Sequence, residues 1–343
     1  MTKPMHRHTE VALEPELPII DTHHHLWPEK LVTVSSAGGP GQQVGQGAPL
    51  HQWTPYSLDD FGRDVAGGHN IVKTVYLECF SNYRTEGPAH VRPVGEVEWV
   101  MSQVSDDRLM SGIIGHADMT LGADVGEVLD AHRAAGGARF KGIRHSVSWD
   151  PNPGVYYTPR KPPAGLLLND AFGKGVAELS RRGLIFETLR YFHQLSELSM
   201  LARAHPDLTI VLCHLGGPAA TGPYERRRAE VMAEWSAGLK KVAEHHNIVL
   251  KLGGIGRRAA AEQKLFDGPR SSEHIAAYWG PELRFCIETL GPDRCMFESN
   301  FPVDRKLCDY VTLWNVFKRI TSDLSPAERR CLFEGTARRT YRL

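Results

Sequence analysis

What this 343-residue chain lacks narrows its function before any motif is read. No stretch approaches the roughly 18 apolar residues of a membrane-spanning helix, and the opening MTKPMHRHTEVALEPELP has no apolar run of the kind a signal peptide needs. A soluble, cytoplasmic protein is therefore expected. Neither sign of charge prevails, with 40 Lys and Arg against 40 Asp and Glu. No net field draws it to nucleic acid or membrane, and a small molecule is the expected partner. The six cysteines, Cys79, Cys213, Cys286, Cys295, Cys308 and Cys331, are scattered and include no Cys-x-x-Cys, so buried, reduced thiols are predicted rather than a disulfide framework. No Gly-x-Gly-x-x-Gly follows the first apolar run and no Gly-x-x-x-x-Gly-Lys-Ser/Thr occurs, which leaves nucleotide cradling without local support.

What the chain does have is rhythm. Short apolar, β-branched runs recur, each followed by an amphipathic stretch, the signature of parallel βα units. Eight strands are predicted: Ile19–His25, Lys73–Cys79, Leu109–His116, Arg139–His145, Leu184–Leu189, Thr209–His214, Ile248–Leu252 and Cys295–Ser299. Helices are predicted near 58–66, 94–104, 124–135, 169–181, 195–204, 225–244, 274–290 and 309–320. A last helix opens on Ser325-Pro-Ala-Glu328, a capping box with proline at the first helical position. Eight such units fit a distorted (β/α)8 barrel better than an open sheet, with residues 1–18 as an N-terminal extension and 19–343 as one domain. Three long connections, 28–56, 147–168 and 253–273, follow strand C-termini and are candidate lid or substrate loops.

Seven of the eight strands finish on a histidine or another reactive group while their earlier positions are apolar. Side chains two apart on a strand share a face. His23 and His25 should therefore point together into the barrel mouth and His24 toward the helices. Two imidazoles so placed can chelate one divalent ion, zinc first among the candidates, although paired histidines can also be hydrogen-bonded core groups. His214 closes TIVLCH before Leu-Gly-Gly-Pro and can act as a base, a carbonyl polariser or a third ligand. Arg144 and His145 face opposite ways, so only one looks inward; Arg144 suits a substrate carboxylate. Lys251, inside the apolar IVLKL, must meet a carboxylate of the protein or of the substrate. Glu78 and Glu187 are each candidates for a metal shell or for pairing with Lys251 or an arginine. His193 can touch substrate from the loop after the fifth strand, His116 ends the third, and Trp27 lies just past His25 as a substrate contact. On the eighth strand Glu298, Asn300 and Asp304 are the groups able to act. A hydrolytic barrel needs a carboxylate there to take a proton from the nucleophile, which the amide of Asn300 cannot do.

IIDTHHHLW (Ile19–Trp27), GIRH (Gly142–His145), CHLGGP (Cys213–Pro218) and MFESNFPVD (Met296–Asp304) together resemble, in this order, the amidohydrolase-related family. That family includes aminocarboxymuconate-semialdehyde decarboxylase, 2-pyrone-4,6-dicarboxylate lactonase and sugar-acid lactonases. The likeness runs from about Ile19 to the C-terminus. It implies a distorted barrel, His23 and His25 as the first-strand pair, His214 as the sixth-strand histidine, Arg144 as a substrate-carboxylate contact, and a homodimer as the family-level expectation. Metal-dependent members offer a histidine on the fifth strand and an aspartate within Ser-Asp-Trp/Phe-Pro on the eighth; here those places hold Glu187 and Asn300. Metal-free members polarise the carbonyl with histidines and arginines. The resemblance thus leaves open both a divalent ion on His23, His25 and Glu187 and no metal at all, with Asp304 or Glu298 replacing the missing base.

The expectation is a lactonase-like hydrolase that opens a lactone or related cyclic ester of a small carboxylated substrate. In it His23 and His25 hold zinc or polarise the carbonyl, His214 and Asp304 move protons, and Arg144 and Lys251 hold substrate charge. One alternative is a metal-dependent nonoxidative decarboxylase of an aromatic or muconate acid. A second, prompted by Asn300, is a non-catalytic barrel that binds small acids.

Overall fold

The computed structural model describes residues 10–28, 43–44, 54–155, 160–256 and 270–343. Eight parallel strands lie in sequence order in one sheet: β1 (Pro18–His24), β2 (Asn70–Leu77), β3 (Gly112–Gly115), β4 (Phe140–Arg144), β5 (Ile185–Thr188), β6 (Ile210–Leu212), β7 (Ile248–Leu252) and β8 (Cys295–Phe297). The last meets the first. Thr22 Oγ1 donates to Phe297 O at 2.8 Å, Asn300 N to His23 O at 2.8 Å and His25 N to Phe301 O at 2.8 Å. This is a (β/α)8 barrel.

Helices follow the strands as the amphipathic stretches predict: α1 (Leu58–Val65), α2 (Val94–Gln103), α3 (Val125–Gly136), α4 (Asp170–Arg181), α5 (Leu195–Ala204), α6 (Arg228–Ala243), α7 (Ser272–Leu290) and α8 (Tyr310–Ile320). Two short ones close the described chain, α9 (Pro326–Arg330) and α10 (Thr336–Tyr341). The capping box forms: the Ser325 side chain accepts from Glu328 N and Glu328 accepts from Ser325 N.

Alternation divides the strand residues between two cores. Outward residues such as Ile113, Ile143, Phe186 and Leu250 join the large cluster beneath the helices. Inward ones, Ile20, Val75, Leu77, Ile114, Ile185, Val211 and Met296, fill the lumen together with Ala337 and Tyr341 of α10. Strict alternation from Ile20 would put His24 inside. The pairing of β1 with β2 is irregular between Asp21 and His24, and this shift reverses the phase. His24 instead stacks outward on Phe61, with ring centroids 4.0 Å apart and Nε2 3.0 Å from Thr74 Oγ1. His23 and His25 take the lumen side.

All six cysteines are unbridged, four of them buried. No helix among the described residues is long and apolar enough to cross a membrane. Connection 28–56 lies almost wholly outside the described residues, as do parts of the other two long loops.

Candidate active site at the strand C-termini

Several strand ends contribute polar side chains just above the apolar filling of the lumen. From β1, His23 is fully buried, and its Nδ1 lies 2.7 Å from Glu298 Oε2, a close contact outside hydrogen-bond geometry. Its Nε2 lies 3.2 Å from His25 Nε2. His25 Nδ1 is 2.8 Å from Leu77 O; a carbonyl only accepts, so the His25 proton belongs on Nδ1. From β6, His214 sets Nδ1 2.6 Å from Glu298 Oε1, and its amide donates to the same oxygen at 3.1 Å. One carboxylate thus orients two imidazoles. Burial pushes the Glu298 carboxyl up to about 7, against the opposing pull of Lys251, the His214 amide and Arg144. His23 is held well below the usual imidazole range by burial and then by the positive charge of Lys251, and His25 by burial and then Arg144.

The backbone is arranged around these groups. His214 and Asn300 adopt left-handed φ of 54° and 53°, a conformation non-glycine residues keep only where the surroundings enforce it. Beside them runs Gly253-Gly254. A Cβ at Gly253 would stand 2.3 Å from Glu298 Cγ and one at Gly254 2.4 Å from His214 Cγ. Only glycine lets β7 pass so close to the histidine–carboxylate pair.

Two adjoining cavities open here. One is lined by His25, Trp27, Glu78, Arg144, His214 and Asn300, among others. The second lies on the far side of His214, and Leu189 and His214 line both.

Sequence reasoning and geometry agree on His23, His25, His214, Glu298, Arg144, Glu78, Trp27 and Asn300 as neighbours. They part at four others. Glu187 is not beside the imidazoles: Oε2 accepts from Lys251 Nζ at 2.8 Å and Oε1 from Tyr341 Oη at 2.6 Å, all deep in the lumen. Lys251 also donates to Thr22 O at 2.7 Å and is fully buried, so the carboxylate it meets is the protein's. Asp304 sits behind Asn300, whose Nδ2 donates to its Oδ1 at 2.8 Å, and lines neither cavity. His193 lines neither as well; its Nε2 lies 3.2 Å from Asp150 Oδ2, which also accepts from Tyr224 Oη. Arg144 does face inward, but Nε donates to Glu78 Oε1 at 2.9 Å, Nη2 to Glu78 O, and Nη1 lies 3.2 Å from His23 Nε2. Burial works most strongly against its charge, but Glu78, Cys213 and Glu187 together more than offset it and hold the guanidinium above its ordinary range. His145 points outward and accepts from Met119 N. Sequence reasoning missed Arg190, which lines the second cavity; the available signal was a basic residue directly after an apolar strand in LIFETLR.

The donors present fit a divalent ion. With His23 Nδ1 facing a carboxylate and His25 Nδ1 donating to a carbonyl, two Nε2 lone pairs face each other at 3.2 Å. A cation about 2.0–2.1 Å from each nitrogen spans such a gap. Glu298 then serves as the outer-shell carboxylate that fixes ring orientation. One donor atom each of His23, His214 and Glu298 also falls within 4.8 Å of the others, but a ligand set through the Nδ1 atoms would break both histidine–carboxylate contacts, so the Nε2 pair is the better seat. The Arg144 guanidinium beside His23 Nε2 is the competing cation.

A closed barrel whose strand ends gather imidazoles and a carboxylate on one cavity is the frame of a hydrolytic enzyme. Residues 20–343 match the family described as amidohydrolase, and the chain belongs to it. An uncharacterized protein of Sinorhizobium fredii is 31% identical, over 96% of this chain and 99% of its own. The L-fucono-1,5-lactonase of Burkholderia multivorans is 25% identical, over 94% of this chain and 96% of its own. An amidohydrolase of Burkholderia multivorans, crystallised with zinc bound, superposes with a TM-score of 0.69 at 22% identity, covering 95% of this chain and 99% of that one.

Proposed function

We propose that the chain hydrolyses a lactone or related cyclic ester of a small acid. The observation that carries the reading is the single buried carboxylate of Glu298 set against both His23 and His214, the second of which lines both cavities. With Nδ1 committed to Glu298, His214 takes the proton of the attacking water at Nε2. The water oxygen bonds to the ester carbonyl carbon, the ring C–O bond breaks, and the proton passes from His214 to the departing alkoxide, leaving a hydroxy acid. Glu298 stabilises the imidazolium formed in between. It fills the place sequence reasoning divided between Glu298 and Asp304, because only Glu298 touches the imidazoles. His23 and His25 would hold a divalent ion, zinc first, which when bound polarises the carbonyl. Arg144 keeps positive charge beside the same spot. The lactonase activity of the Burkholderia multivorans relative and the zinc in the similar structure support this reading.

The test is metal content of the purified protein by plasma mass spectrometry, with turnover of a lactone panel followed before and after chelator treatment. About one zinc per chain and chelator-sensitive turnover are expected, and His23→Ala should abolish turnover while the circular dichroism spectrum stays native. Full activity in His23→Ala would sink the assignment. Release of carbon dioxide from an aromatic acid without lactone cleavage would replace it with a decarboxylase, and tight binding without turnover would replace it with a binding protein.

A further inference from the structure

Among the described residues the buried cations have partners, except one. Arg144 has Glu78 and Lys251 has Glu187. Lys318 donates to Leu13 O and Glu14 O and lies 2.9 Å from His69 Nδ1. Arg190, fully buried, has no hydrogen-bond partner at Nε, Nη1 or Nη2 among the described residues. Burial lowers it to about 9, opposed only by Cys213. A charge kept out of water without a partner is strongly disfavoured, so its retention calls for an anion that arrives from outside.

Its place shows where that anion would sit. Arg190 lines the second cavity with Ser148, Tyr191 and His214, and Leu215, Pro218 and Ile255 supply apolar walls. Its backbone is clamped: a Cβ at Gly217, where φ is +68°, would stand 1.8 Å from Arg190 O, and Phe192 N donates to Gly217 O at 3.0 Å. The LGGP turn that presents His214 thus also fixes Arg190. Because His214 lines both cavities, a molecule held for attack beside Glu298 would extend past the imidazole to the guanidinium, whose planar fork matches a carboxylate.

We propose that Arg190 receives a carboxylate that the substrate carries away from the ester being cut, so that the preferred substrates are lactones bearing a free acid rather than neutral sugar lactones. This rests on the hydrolytic reading above. It also moves the recognition of substrate charge from Arg144, whose donors face Glu78 and His23, to a residue on the other side of His214.

The test separates binding from turnover. Calorimetric titration of the full chain with succinate, glutarate and adipate, and with glutaramide as the neutral control, is compared between wild type and Arg190→Met. At least one diacid is expected to bind wild type and to bind Arg190→Met about 100-fold more weakly, with glutaramide weak in both. The ligand-free Arg190→Met protein should melt no lower than wild type, since an unpaired charge has been removed; a drop of several degrees would mark a structural role and overturn the proposal. Equal diacid binding by both proteins, equal binding of the neutral diamide, or no diacid binding at all would overturn it too. If diacid binding depends on Arg190 while no lactone is cleaved, the anion site stands and the hydrolytic reading falls. If lactones are cleaved but a free acid on the substrate does not lower KM in wild type, the reading stands and the anion site falls.

Discussion

At the scale of single residues, the chemistry turns on protons whose positions Glu298 dictates. Glutamine at 298 would present one acceptor and one N–H donor to two imidazoles that both direct Nδ1 at it. One ring would have to move its proton to Nε2, the atom that binds metal or takes the water's proton. Glu298→Gln is therefore expected to weaken metal binding about 10- to 100-fold and to cut kcat, read by metal titration and steady-state kinetics. Unchanged metal affinity and kcat would show that Glu298 only fills space. Most of this constellation was legible in the sequence, because reactive groups at strand ends are visible as breaks in apolar runs. Arg190 was not. No spacing distinguishes an arginine that pairs from one that waits, and only the surroundings of its guanidinium tell them apart. Asp304 failed for a related reason: sequence places it near the eighth-strand end but not behind the Asn300 amide that shields it.

At the scale of elements, strand and helix bounds followed from periodicity to within a few residues, since each element is long enough for its pattern to outvote local exceptions. The inward phase of His23 and His25 was expected and holds, but the bulge that produces it was not visible. His23-x-His25 share a face whether or not the strand is bulged; the irregularity before His24 decides which face. The choice between the readings offered for Lys251 and Glu187 also belongs here: they pair with each other, not with substrate and metal. Both side chains point inward, as alternation requires, but β5 and β7 bring them to each other and to Tyr341 of α10 below the imidazoles. Lys251→Met would leave the Glu187 carboxylate buried without its cation and is expected to cost about 3–5 kcal/mol of stability, measured by urea unfolding. Adding Glu187→Leu should recover part of that loss. A Lys251→Met protein of wild-type stability with a raised KM would return Lys251 to the substrate.

At the scale of the whole molecule, two imidazoles turned away from the cavity, His24 and His132, are held well below the usual range by burial. Burial lowers His24 to about 3 and His132 to about 4; the latter is stacked on Phe140 with Nε2 2.8 Å from His116 O. A histidine whose folded pKa is depressed contributes stability that is whole above about 6.5 and is lost as pH falls toward the folded value, because the unfolded chain takes up the proton first. Asp21, pushed up by burial to about 6, acts in the opposite direction over the same range. The histidine contribution is isolated by substitution. Between pH 7 and pH 5, wild type should lose about 2 kcal/mol more stability than His132→Phe, measured by urea unfolding at both pH values. Parallel losses in the two proteins would show that His132 is charged in the fold.

The seam between the first and last strands ties the history of the chain to its chemistry. Asp21 accepts from Ser299 N at 2.9 Å across 278 residues, and Tyr310 Oη donates to its other oxygen at 2.9 Å. His23 and His25 emerge early in the chain, but the carboxylate that orients His23 arrives only with the eighth strand. A polypeptide arrested before that strand would carry nearly every reactive side chain and have no competent site. Contacts so distant in sequence form slowly, so in a refolding experiment the return of turnover would time the closing of the ring.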